Sequence, residues 1–211
     1  MREEPAQDGA QAAMTNLTQL REDVQRCTAC GLHEITDKAV FGEGAADAQV
    51  MFVGEQPGDK EDREGHPFVG PAGRLLDQAL EEAGIDRSLV YVTNTVKRFN
   101  HSERGKRRIH ERPRAEHIKA CRQWLDAELA EVKPKVLVCL GAVPAQALVG
   151  RHVKVTQDHG QPLESDLADV VIVTVHPSSI LRQRDEDARQ QAYRGFVEDL
   201  REVARRVGPT P

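Results

Sequence analysis

The chain has 211 residues, 39% hydrophobic and 30% charged, with a formal net charge of −5 at pH 7. That is long enough for one domain with a real core, it excludes a disordered chain, and it excludes a surface that coats nucleic acid everywhere while leaving room for a local basic face. No apolar run reaches membrane-span length and the opening Met1-Arg2-Glu3-Glu4 is no signal peptide, so the four cysteines point to metal, cluster or core roles in a cytoplasmic protein with no membrane partner.

Residues 1–13 are polar and read as a flexible tail. Leu17, Leu20 and Val24 then fall at helical spacing within Thr15–Arg26, which runs into Cys27-Thr28-Ala29-Cys30. Short, β-branched apolar runs follow at Val50–Val53, Val90–Thr93, Val136–Leu140 and Val170–Val175. Helical patterns at about 72–83, 114–131 and 143–149 separate them, and Asp187–Val207 closes the domain with Phe196, Leu200 and Val203 on one face. Strands apolar on both faces and alternating with helices predict an α/β fold: a central four-stranded parallel sheet in a three-layer α/β/α domain over 14–207. Gly208-Pro209-Thr210-Pro211 reads as a terminal tail.

In an open parallel sheet, ligands bind outside the carboxyl ends of the strands. The first strand leads into Gly54-Glu55-Gln56-Pro57-Gly58-Asp59, an acidic loop that continues through Pro67-Phe68-Val69-Gly70. Asn94 follows the second strand and His176-Pro177-Ser178-Ser179 the fourth. Each has a plainer reading alone: a solvated loop, a turn cap at Asn94, a helix cap at Ser178. Their convergence on one sheet edge favours a site. Between Lys97 and Arg114 lie eight basic residues, Lys97, Arg98, Arg104, Lys106, Arg107, Arg108, Arg112 and Arg114, a local phosphate footprint in an acidic chain.

These strings, with Val40-Phe41-Gly42-Glu43-Gly44, Tyr91-Val92-Thr93-Asn94-Thr95-Val96-Lys97 and Leu140-Gly141-Ala142, resemble the uracil-DNA glycosylase superfamily over residues 20 to 205. The likeness is to its family 4-like iron–sulfur branch. Glu55-Gln56 together with Lys106-Arg107-Arg108-Ile109-His110 is similar to the UdgX type, whose members become covalently joined to the DNA they act on. The resemblance implies a uracil-DNA glycosylase-like fold and excision of uracil from DNA, single-stranded by preference, by a monomer; the alternatives are an ordinary multiple-turnover glycosylase and a non-enzymatic nucleic-acid-binding iron–sulfur protein. It implies that Asn94 reads the uracil edge, Phe68 stacks on the base, His176 donates to O2, and Gln56 positions the base and the reacting centre. Ser178, Ser179, Arg182, Lys97, Lys106, Arg107 and Arg108 would hold DNA, and Leu181 would be a wedge or else a core residue. It assigns capture of the sugar to His110, with Glu55 stabilising the charge that results. Histidine suits that role because a neutral imidazole is available near neutral pH. In a basic loop, His110 otherwise reads as one more surface residue. Asp59 would order the loop or a water.

Cys27 and Cys30 are spaced to ligate one metal centre, and the resemblance adds Cys121 as a third ligand of a structural [4Fe–4S] cluster. Most of that branch has a cysteine after the residue matching Lys97. Here it is Arg98, which cannot ligate iron. His101 is one candidate for the fourth ligand. Cys139 is another, but inside Val136–Leu140 it reads as core. Zinc on the same residues is the alternative.

Overall fold

The computed structural model describes residues 6–36 and 38–208. In chain order the elements are α1 (Ala6–Gln25), β1 (Val50–Gly54), α2 (Asp59–Glu64), α3 (Pro71–Ala83), β2 (Val90–Asn94), β3 (His101–Arg104), β4 (Arg107–His110) and α4 (Ala115–Val132). They continue with β5 (Val136–Leu140), α5 (Ala142–Leu148), α6 (Val155–Asp158), β6 (Pro162–Leu163), β7 (Val170–Thr174), α7 (Pro177–Leu181) and α8 (Glu186–Val207). Short 3-10 turns at Gly31–Glu34 and Arg87–Leu89 join some of them. None of the helices is long and apolar enough to cross a membrane, among the described residues.

The apolar runs pair as the pattern dictates, β2-β1-β5-β7, all parallel and in register from Val50↔Val90 to Leu140↔Thr174. Alternate residues build two cores. Met51, Val53, Leu137, Cys139, Val171 and Val173 pack under α1, α4 and α5. Val50, Phe52, Val136, Val138, Leu140 and Ile172 pack under α3, α7 and α8. A strand covered on both faces gains burial at every position, and this is why these runs carry no polar alternation.

The sheet departs from the expected four parallel strands. β6 adds an antiparallel edge strand of two residues, paired Pro162↔Ile172 and Leu163↔Val171. Pro162 is tolerated because an edge strand need not donate on its outer side. The helix before the first cysteines also starts earlier than expected: α1 begins at Ala6, within the presumed tail, as Ala6, Ala10, Ala12 and Ala13 favour helix. Residues 1–5 and 209–211 of the two expected tails lie outside the described residues. Gly208 ends α8 at φ +81°. The segment read as a basic loop is a separate antiparallel hairpin, β3-β4, turning at Gly105 with φ +61°.

Candidate active site

At the carboxyl edge, β1 and β2 end level, with Gly54 opposite Asn94. A Cβ on Gly54 would stand 2.4 Å from Asn94 Oδ1 and 2.9 Å from Phe68 Cζ. The absent side chain is what lets an amide and a phenyl ring close over the strand end. Phe68 is held at φ +57°, a left-handed conformation that a non-glycine residue adopts at a cost of about 1–3 kcal/mol. Its carbonyl is locked against Gly73, where an added Cβ would lie 1.6 Å from Phe68 O. Glu61 braces the same loop by accepting the Gly70 N–H at 2.7 Å. Asn94 is 3% exposed, and its side-chain amide lies at the end of β1 beside the Phe68 ring.

His176 enters from β7. Its Nδ1 accepts the backbone N–H of Ser178 at 3.1 Å and the Ser178 hydroxyl at 2.8 Å, while Ser178 Oγ accepts from Arg182 at 3.0 Å. His176, rather than Ser178, is therefore the cap of α7. Burial, reinforced by the charges of Arg182 and His110, pushes its pKa down to about 4. A neutral ring whose Nδ1 accepts carries its proton on Nε2, a donor kept uncharged at any pH above about 4. The Phe68 and His176 rings stack with centroids 6.3 Å apart. Ser179 Oγ donates to His176 O at 2.7 Å, and Leu181 lies 40% exposed at the end of α7.

The hairpin brings the second histidine. Its base is knotted by Gln56: Oε1 accepts the Asn100 N–H at 3.2 Å, and Nε2 lies 3.1 Å from Asn100 O, 3.0 Å from Glu111 O and 3.0 Å from His110 Nε2. Glu55 Oε1 is 3.8 Å from the same imidazole nitrogen. Phe99, buried beneath, stacks on His101 at 4.9 Å, meets His110 at a tilt of 49° with centroids 5.9 Å apart, and lies under the Arg108 guanidinium at 5.5 Å. Arg108 also pairs with Asp59 and Asp62, latching the hairpin to α2. Arg63 first, then Arg108, holds the Asp59 carboxyl below the usual range. Asp59 thus orders the loop through these two arginines. Phe99 and Asp62 are site-forming residues that sequence reasoning missed. Phe99 stood in the basic run as a lone aromatic, and Asp62 was one acid among several.

Two of the expected DNA contacts change character. Lys97 is a correction: it is 1% exposed, ion-paired to the fully buried Glu128, and its Nζ donates to Thr93 Oγ1 and Asn94 O, each at 2.7 Å. It reaches no surface. Arg108 is committed to the two aspartates. Lys106, Arg107 and Arg182 are exposed.

Cys30 and Cys121 pack with Leu32, Val96 and Ile118, and the Cys27 and Cys30 thiols are near enough to Cys121 to raise its pKa. Burial is the main cause that pushes Cys121 up to about 11. Two N–H groups face the sulfurs: Lys97 N is 3.5 Å from Cys121 Sγ and Trp124 Nε1 is 3.3 Å from Cys27 Sγ. Three thiols in an apolar nest with N–H donors suit the corners of a cluster. Among the described residues no fourth ligand joins them. Arg98 is buried with its guanidinium donating to Gln25 O at 2.9 Å and Thr36 O at 3.2 Å. His101 lies on the hairpin, bound to Phe99 O at 3.1 Å. Cys139 is buried in β5. Among the described residues no group of three or more His, Cys, Asp or Glu side chains is arranged to hold a metal ion.

A family model described as the uracil DNA glycosylase superfamily matches residues 41–201. The type-4 uracil-DNA glycosylase of Thermotoga maritima is 41% identical over 170 residues, covering 80% of this chain and 85% of that protein. That of Pyrobaculum aerophilum is 36% identical over 175 residues, covering 80% and 86%. That of Sulfurisphaera tokodaii is 41% identical over 129 residues, covering 61% and 56%. Since the matched stretch runs from the edge of β2 through every strand that ends at the site, the chain belongs to the uracil DNA glycosylase superfamily.

Proposed function

We propose that the protein excises uracil from DNA and is itself captured by the site it creates. A flipped base enters the opening between Phe68 and Asn94. Asn94 Oδ1 accepts uracil N3–H and Nδ2 donates to O4. Cytosine, with an acceptor at N3 and a donor at C4, presents the opposite pattern. Phe68 supplies the stacking face. The N1–C1′ bond then breaks, its electron pair passes into the uracil ring, and negative charge grows on O2. The Nε2–H of a neutral His176 meets that charge, and a fixed donor of this kind contributes about 10²–10³ in rate.

The sugar cation is left facing His110. The two hydrogens of Gln56 Nε2 have Asn100 O and Glu111 O as partners, so His110 Nε2 can release its lone pair without stranding the amide. A bond from Nε2 to C1′ puts positive charge on the imidazole. Glu55, 3.8 Å away, stabilises it by about 1 kcal/mol in bulk water and about 4 kcal/mol at an effective dielectric of 20. Loss of the ring as a leaving group would need a second nucleophile at C1′. The observation that carries this reading is the convergence of Glu55, Gln56 and His110 Nε2 at 3.0–3.8 Å. Single-stranded DNA is the favoured substrate because an unpaired base is the least costly to extrude. Ser178, Ser179, Lys106, Arg107 and Arg182 line the strand, with Leu181 filling the vacated stack. Cys27, Cys30 and Cys121 would hold three corners of a [4Fe–4S] cluster, which when bound ties the N-terminal segment to α4 and takes no part in the chemistry.

Purified protein mixed with uracil-containing single-stranded DNA should give a slow band on a denaturing gel, and His110→Ser should abolish it while uracil release persists. Wild-type protein that releases uracil in excess over enzyme, with no such band, would sink the covalent step and leave a turning-over glycosylase.

A further inference from the structure

A groove of about 350 Å³ runs between the first half of α4 and α5. Two of its lining residues stand close in the chain to the active site. Arg112 lies two residues beyond His110, and Val143 lies two residues beyond Gly141, the cap of α5, whose added Cβ would stand 3.3 Å from His176 Cβ. From there it extends past Val143 and Lys119 to Arg151. The floor is aliphatic, with Ile118 and Val143, and the rim is basic. Among the described residues no carboxylate lines it, in a chain whose net charge is −5. Arg122 is committed to Asp126 and Ala147 O, whereas Arg112, Lys119 and Arg151 are exposed and make no side-chain ion pair among the described residues. The basic cavity beside the hairpin tip differs, since Asp62 and Glu103 line it too.

We infer that this groove carries the sugar–phosphate backbone of the uracil strand as it leaves the active site on one side. The inference rests on the glycosylase reading and adds a second, sequence-independent anchor to it. Unpaired cations with no acidic counterpart are a phosphate-binding surface, and each phosphate neutralised releases counterions. Within α5 the wall from Val143 to Ala147 spans about 6 Å at 1.5 Å per residue, room for roughly two nucleotides at 3.4 Å each, and Arg151 lies beyond it. An aliphatic floor without aromatics favours backbone contact over base stacking. The nearness of Arg112 to His110 and of Val143 to the Gly141–His176 contact selects DNA over an acidic protein segment, for which the same charge would serve.

The test compares uracil release from single strands extended by about four nucleotides on the 5′ side, the 3′ side, or neither, with sub-saturating DNA. Extension on one side alone should speed release by the wild type. A Lys119→Glu/Arg151→Glu variant, with its melting temperature checked, should treat long and short strands alike. Two lost contacts should also make the salt slope shallower by about 1.4, removing about a sevenfold loss of rate between 50 and 200 mM salt. Equal rates on all three strands in the wild type, or a length effect that survives in the variant, would overturn the groove and leave it to an acidic protein partner. Absence of uracil release from any strand would instead overturn the glycosylase reading beneath it.

Discussion

Gly54 has a precise physical job. It ends β1 at the point where Asn94 and Phe68 meet, and both atoms that a Cβ would strike belong to the residues proposed to bind the base. Gly54→Ala should therefore displace the reading amide or the stacking ring by about an ångström. Misplacement on that scale costs about 100-fold in rate. Single-turnover uracil release measures it, and a melting temperature lowered only modestly would show that the fold survives. Release within threefold of wild type would mean that Asn94 and Phe68 are not held where the geometry puts them. The strand-end position of Gly54 was legible in the sequence, because an apolar run that breaks at glycine marks a loop. The reason for the glycine was not, because both neighbours it spares come from elsewhere in the chain.

The β3-β4 hairpin acts as a unit, docked by three kinds of contact. Phe99 supports it from below, Gln56 ties its two ends, and the Asp59 and Asp62 carboxylates of α2 grip Arg108. Arg108→Ala should leave Asp62 buried without its partner and let His110 drift from Glu55. Adduct yield should fall at least tenfold, while uracil release, which the proposal assigns to Asn94, Phe68 and His176, should fall far less. Denaturing gels and a uracil assay on the same samples separate the two, and Arg108→Lys should recover part of the yield. A parallel loss of both activities would place Arg108 in base excision instead. The four parallel strands announced themselves as apolar runs, but this hairpin could not. Its strands, His101-Ser102-Glu103-Arg104 and Arg107-Arg108-Ile109-His110, lack an apolar face because they meet mostly solvent and polar partners, and against Phe99 they turn histidine rings and a guanidinium. Only Gly105 marked the turn, and the contacts that fix its register come from the acidic loop.

Across the whole molecule, one buried charge network joins the cysteine nest to the uracil-reading edge. Lys97 donates its backbone N–H to Cys121 and its ammonium to Asn94 O and Thr93, and it pairs with Glu128 of α4. Glu128 also accepts from Gly42 N at 2.8 Å and Tyr91 at 3.1 Å, so the Gly42 segment, β2 and α4 all contribute. In sequence, Lys97 is indistinguishable from the exposed cations that follow it, because its burial is decided by a carboxylate 31 residues away. Removing one partner of such a pair strands a charge in the core, whereas replacing both with apolar residues can be nearly neutral. Lys97→Met should cost about 3–5 kcal/mol of unfolding free energy, and Glu128→Leu a comparable amount. Lys97→Met/Glu128→Leu should be markedly more stable than the sum of the two losses predicts, an interaction energy that denaturant titrations read directly. The recovered double variant should still release uracil more slowly than wild type, since Asn94 O has lost the ammonium that fixes it. Additive losses in the cycle would show that Lys97 and Glu128 do not act as one unit.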